Sequence, residues 1–260
     1  MPRLLILNPN TTASVTDLVT RHAQDLLGAG VECVPATARF GARYISNEAA
    51  YAIAGHSALD GVAEFGAGCD AVLLACFGDP GLFALREVCA MPVIGLAEAS
   101  MREAAAHGRF SIVTGGVLWR PMLERLAAAL GYADQIARIR AITLTGAEIA
   151  ADPEGSIAFL AAECRAAARE DGARSVILGG AALAGLAQRI APQVAAPVID
   201  SVHAGARVAA ALAADHAARP RPVREHLATP TIGIGDALTR LLGPRPPTCR
   251  GRHRQDNDGQ

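Results

Sequence analysis

The sequence predicts an α/β fold of two pseudo-symmetric lobes, each a parallel sheet flanked by helices, with the site in the cleft between them. Three observations predict it. Short apolar runs alternate with Ala- and Leu-rich helical segments, the pattern of strand–helix–strand crossovers. The runs are apolar throughout rather than alternating, as strands covered by helices on both faces should be. The chain also repeats itself at nearly one spacing. Arg3–Asn8 matches Arg109–Thr114, Asp70–Cys76 resembles Arg174–Gly180, and Met91–Gly95 matches Ala196–Asp200, at offsets of 106, 104 and 105 residues.

The elements follow in order. LLILN (4–8) is the first strand and precedes a helix over about 12–28. VECVPAT (31–37) precedes a helix near 46–66, and AVLLAC (71–76) precedes one over 80–89. PVIGL (92–96) leads into 97–107, and FSIVT (110–114) into a helix from about 119 to 131. IRAITLT (139–145) precedes a helix over 154–170, and SVILGG (175–180) a short one near 183–192. PVIDS (197–201) and a helix through 214 complete the second unit. The first lobe is therefore expected to hold residues 1–96 with a returning segment 205–243, and the second residues 97–204. The polar, Pro- and Gly-rich stretch 244–260 reads as a disordered tail.

Composition narrows the function. The chain has 260 residues, 51% of them apolar, enough for a sizeable core, and a formal net charge of −1. No basic excess points to nucleic acid or an anionic membrane. No run approaches the ~18 apolar residues of a membrane span. The opening MPRLLILNPN lacks the length and cleavage site of a signal peptide, so a cytoplasmic location is expected. Six cysteines show no C-x-x-C pair and no zinc-type spacing to histidine, and should be reduced thiols. All 24 Lys-plus-Arg positions are arginine. Codon bias explains the missing lysine; even so, pyridoxal Schiff bases, lysine aldolases and Walker-type ATPases are excluded.

In open parallel sheets, ligands sit at the carboxyl ends of strands. Asn8, Cys76, Thr114, Gly180 and Asp200 all stand at such ends. Asp79 and Pro80 read as the cap and first position of the helix 80–89. That places Cys76 beside the N–H groups of Phe77 and Gly78, ahead of a helix N-terminus, where a thiol pKa should be lowered. The alternative is a buried cysteine serving as a small apolar side chain. NPNTTAS (8–14) offers Asn8, Asn10, Thr11 and Thr12 at the opening of a helix. One threonine suffices as a cap; the group together suits a carboxylate or a polarised carbonyl. Tyr44 sits in a loop that could cover the site. Glu98 reads as helix-start charge, and His56 and His203 as helix-surface histidines, His203 being nearer a strand end. GGAALAG (179–185) is not a dinucleotide fingerprint.

ILNPNTT, ACFGDPGLFALRE (75–87), PVIGLAEAS (92–100), GRFSIVT (108–114) and PVIDSV (197–202) resemble the aspartate/glutamate/hydantoin racemase superfamily, the hydantoin racemase branch above all. The resemblance covers most of residues 3–210. It implies a cofactor-independent enzyme in which two lobes enclose a small-molecule substrate and each supplies one cysteine. One thiolate takes the proton alpha to a carbonyl, and the other thiol returns a proton on the opposite face. Cys76 matches the first cysteine. Asn8, Thr11, Thr12 and Thr114, with the backbone N–H groups of Phe77 and Ala181, are the implied substrate or enolate contacts.

The second cysteine is absent: Gly180 stands in its place, in Val176-Ile177-Leu178-Gly179-Gly180-Ala181. The internal repeat reaches the same position, since Gly180 is the counterpart of Cys76. Cys164, mid-helix, and Cys249, in the tail, do not replace it. Three readings stay open. One is a racemase with a substitute acid, such as water or His203. Another is one-base chemistry, including decarboxylation of the arylmalonate decarboxylase type. The third is a small-molecule binding protein without catalysis. No metal or nucleic-acid partner is expected, and a homo-oligomer is left open.

Overall fold

The computed structural model describes residues 1–220, 228 and 230–243. Two four-stranded parallel sheets form its frame. The first contains β1 (Arg3–Asn8), β2 (Glu32–Thr37), β3 (Ala71–Leu74) and β4 (Val93–Gly95), in the order β2-β1-β3-β4. The second contains β5 (Phe110–Gly115), β6 (Ile136–Ile142), β7 (Ser175–Gly179) and β8 (Val198–Asp200), in the order β6-β5-β7-β8. The two orders are identical once the second set is renumbered, so the repeat in the sequence is a repeat of topology.

Helices α1 (Ala13–Leu27), α2 (Glu48–Phe65), α3 (Leu82–Val88), α4 (Leu96–Ala105) and α5 (Trp119–Leu130) come next. They are followed by α6 (Gly146–Ala151), α7 (Pro153–Glu170), α8 (Leu186–Ile190), α9 (Ser201–Ala218) and α10 (Asp236–Leu242). The sequence reading lacks α6 and α10. It also places the sixth strand three residues late, because Thr145 is not a strand residue. Its hydroxyl accepts from Glu148 N and its N–H donates to the Glu148 carboxylate, a capping box that opens α6. The stretch 244–260 lies outside the described residues.

Successive side chains on a strand point to opposite faces, and each sheet uses both. Leu4, Ile6 and Leu73 join Phe110, Ile112 and Ile177 in one buried layer with α4, α5 and α9. Leu5, Leu7, Val72 and Leu74 pack outward under α2 and α3. Val113, Val176 and Leu178 pack outward under α7 and α8. The central strands are largely apolar because both of their faces enter an apolar layer, while the edge strand β6 carries Arg138 and Arg140. The inner layer belongs to both sheets, and this shared layer faces the two sets of strand ends toward one another. α9 runs back across β3 and β1 and lies along α4, while α10 covers α2.

Asp79 does not cap α3. That helix starts at Leu82, after Gly81 in the left-handed region at φ 81°. The Asp79 carboxylate reaches instead to the next helix, accepting from Ala97 N at 2.9 Å and Glu98 N at 2.8 Å in the first turn of α4. Gly95 makes room for it: a Cβ there would stand 2.0 Å from Asp79 Cγ. Asp79 is the one non-glycine residue with positive φ among the described residues, at 52°. The strained turn at Cys76 is thereby tied to the helix that links the two sheets.

Candidate active site

A cavity of about 90 Å³ opens between the carboxyl ends of the two sheets. Cys76, Phe77, Thr114, Gly180 and Ala181 all line it. Asn8, Thr11 and Thr12 do not. Asn8 is fully buried, and its Nδ2 donates to Asn10 Oδ1, Thr12 O and Thr16 Oγ1 while its Oδ1 accepts from Asn10 N. Its amide is spent on shaping the loop. The loop then presents Asn10 to the cavity. Thr11 N donates to Ala42 O at 3.1 Å, and Thr12 Oγ1 to Arg43 O at 2.7 Å. These two residues hold the segment that brings Tyr44, Ile45 and Ser46 over the cavity. The opening motif thus positions the wall rather than forming it, apart from Asn10.

Cys76 follows β3 in a tight turn that three bonds fix. Asp79 N donates to Cys76 O at 3.1 Å, Tyr51 Oη donates to Gly78 O at 2.8 Å, and the Asp79 carboxylate is held by α4. Gly78, at φ 150°, lies against the indole of Trp119: a Cβ there would be 2.3 Å from Cζ3. Across the cleft, the Phe77 ring covers Gly179, where a Cβ would be 2.3 Å from Phe77 Cε1. The Cys76 turn and the Gly179–Gly180 strand end therefore meet directly across the two sheets. Neither the Phe77 N–H nor the Ala181 N–H has a protein acceptor among the described residues. One comes from each sheet, and both residues line the cavity.

The thiol is not acidified. Burial pushes the Cys76 thiol up, and the nearby Asp79 carboxylate adds to it. The sequence expects a lowered pKa from a helix opening at Pro80; that helix begins at Leu82, and burial raises the pKa instead. Burial also lifts the Asp79 carboxyl to about 7, against the Ala97 and Glu98 N–H groups that favour its charged form. The site at rest therefore holds Cys76 as the protonated thiol. Alkylation of Cys76 by iodoacetamide is expected to be slow at pH 7 and to keep rising beyond pH 9. Asp79→Asn removes the like charge and should increase the rate at pH 8. Mass spectrometry of the Cys76 peptide checks it. An unchanged rate would show that Asp79 does not act on the sulfur.

The histidines stay outside the cavity wall. His203 lies in the first turn of α9 with Nδ1 2.6 Å from Gln188 Nε2, and His56 stacks edge-on against Phe40. Glu98 pairs with Arg86. Cys164 is fully buried in the outer layer behind the second sheet. Sequence reasoning missed Ser46, Trp119, Thr145, Gly146 and Leu183, which come from a loop and from the starts of helices and turns with no chemical motif of their own. Trp119 carried a weak signal as the single tryptophan in the chain. Among the described residues, no charged side chain lines the cavity. Among the described residues, no cluster of three His, Cys, Asp or Glu side chains is placed to hold a metal ion.

Two parallel sheets with one strand order, a shared inner layer and a cleft at their facing carboxyl ends define a two-lobed α/β enzyme for small molecules. The chain belongs to the Asp/Glu/hydantoin racemase family, which it matches over residues 4–209, and is an isomerase of the racemase class. It is 33% identical over 215 residues to the hydantoin racemase of Paenarthrobacter aurescens, covering 82% of this chain and 91% of that one. Its fold superposes on the allantoin racemase of Pseudomonas fluorescens with a TM-score of 0.80 at 27% identity, covering 96% of this chain and all of that one. A liganded double variant of arylmalonate decarboxylase shares the fold, with a TM-score of 0.61 at 19% identity over 86% of this chain and 97% of that one. No described helix is long and apolar enough to cross a membrane.

Proposed function

We propose that this enzyme moves a proton on the carbon alpha to a carbonyl of a small uncharged cyclic amide of the hydantoin type, without a cofactor, using Cys76 as acid and base. The observation that carries the reading is a buried sulfur on a cavity wall with no charged side chain among the described residues. Taking an ammonium or carboxylate out of water without a partner is costly. A free amino acid or a malonate dianion has no counter-ion here, whereas a cyclic amide can meet Asn10, Thr114 and Ser46 with neutral hydrogen bonds.

In the reaction, Cys76 first gives its proton to solvent; the thiolate then takes the alpha proton and the C–H electron pair moves into the carbonyl, giving an enolate. The Phe77 and Ala181 N–H groups hold its oxygen, each such donor contributing about 3 kcal/mol. Reprotonation of the carbon returns the carbonyl. Because the resting sulfur is protonated, kcat/KM should rise with pH between 7 and 9.5. The lobes of the reaction are assigned as residues 1–96 with 205–243, and 97–204. The packing of α9 on β1 and β3 and of α10 on α2 supports the returning segment.

The test is turnover of a single enantiomer of a 5-alkylhydantoin, followed by polarimetry, beside a free amino acid and a monosubstituted malonate. Loss of rotation confined to the hydantoin supports the reading. Faster racemisation of the amino acid, or carbon dioxide release from the malonate, would replace it. Binding of a hydantoin, read by Trp119 fluorescence, with no turnover of any of the three would mark a binding protein.

A further inference from the structure

The face of the cavity opposite Cys76 is built differently from a wall that has merely lost a side chain. Gly180 has φ of 153°, a conformation that side-chain-bearing residues rarely adopt. An ideal Cβ at this position would stand 2.8 Å from Leu183 Cδ1 and 3.2 Å from its Cγ. The Leu183 N–H donates to Gly180 O at 3.0 Å, so the short turn Ala181–Leu183 folds the leucine back over the glycine. Leu183 is 2% exposed and lines the cavity. The space that a side chain at position 180 would enter is taken by the Leu183 side chain.

The other groups on that side are no better as acids. The Gly180 N–H is taken by Ser201 Oγ at 3.1 Å. Thr114 and Thr145 supply hydroxyls, neither of which ionises near neutral pH, and Thr145 Oγ1 already donates to Glu148 at 2.8 Å. His203 is turned to Gln188, and Cys164 lies behind the sheet. Gly179, Ala181 and Ala182 complete the wall.

We infer that Leu183 is a specificity-determining residue: packed over Gly180, it makes the second-sheet face of the cavity a surface without a protein acid, so that proton exchange through Cys76 outruns inversion. Inversion then depends on a proton that this face does not supply. The inference rests on the proposed role of Cys76. A positioned general acid contributes about 10²–10⁴-fold to a proton transfer. Its absence from one face should slow inversion relative to exchange by a factor of this size.

The experiment follows (S)-5-isopropylhydantoin in D2O, reading C5 deuteration of the remaining S enantiomer by NMR and inversion by polarimetry. For the wild-type chain, deuteration with retained configuration is expected to run about 100-fold ahead of inversion. Gly180→Cys alone should leave most of this gap, because Leu183 blocks the new side chain. Gly180→Cys with Leu183→Ala should close it to within about tenfold, as a second acid gains its place. The inference is overturned if wild-type inversion keeps pace with deuteration, or if Gly180→Cys alone closes the gap. A gap unchanged in a folded double variant overturns it too. The wild-type ratio decides even where the double variant does not fold. Cys76→Ser separates the two claims: if it retains both exchange and inversion, the assignment of the sulfur fails, whatever the ratio.

Discussion

Cys76→Ser is expected to lower kcat on a 5-alkylhydantoin by at least about 100-fold while leaving the melting temperature nearly unchanged. Among the described residues, Cys76 carries the one thiol on the cavity wall. A serine hydroxyl fits the same space but cannot act as a base there. The turn itself does not depend on the side chain. It is held by Asp79 N on Cys76 O, by Tyr51 on Gly78 O and by Asp79 on α4. Circular dichroism and Trp119 fluorescence should therefore match the wild type. Retained turnover with an intact fold would remove Cys76 from the mechanism.

Arg140→Met is expected to be the most destabilising single change away from the cavity. Arg140, on β6, is 12% exposed and gives two bonds to the Asp171 carboxylate, at 2.8 and 2.7 Å; Asp171 is 1% exposed and also accepts from Ser111 Oγ at 2.9 Å. Removing the guanidinium leaves a buried carboxylate with Ser111 and, 3.8 Å away, Arg138. Breaking such a pair costs about 3–5 kcal/mol. For a chain of this length, that lowers Tm by roughly 6–20 °C. Pairing Arg140→Met with Asp171→Leu should recover most of the loss, since two apolar groups need no counter-charge. Differential scanning calorimetry of the single and double variants checks both. Burial opposes the Asp171 charge, but Arg140 and Ser111 outweigh it and hold the carboxyl below its ordinary value. Its stabilising effect is thus present above the unfolded pKa of about 3.9 and is lost as pH falls through the lower folded value. The difference between wild type and Arg140→Met should shrink below about pH 4. A difference constant down to pH 2 would show that packing, not charge, sets it.

The architecture was legible because it is written in short-range patterns. Eight mostly apolar runs became eight strands, the central ones most apolar because both of their faces are covered. The repeat gave the pairing of Cys76 with Gly180 before any coordinates. Two helices escaped notice. α6 is one and a half turns long and announced only by Thr145 and Glu148, and α10 follows a Pro-rich segment. Asp79 was misassigned for a related reason. An aspartate before a proline is a good local cap, but its carboxylate could reach a better set of free N–H groups eighteen residues onward.

By itself, the sequence determined two matched parallel sheets and a lone sulfur at one of two equivalent strand ends. These are matters of periodicity and of residue identity, and both are local. Only the tertiary structure decided that Asn8, Thr11 and Thr12 build the loop while Asn10, Ser46, Trp119 and Thr145 face the cavity. It also decided that the sulfur is held protonated, and that Leu183 fills the place beside Gly180. The reason is that desolvation, nearby charge and close packing are set by neighbours far along the chain, which the fold alone brings together.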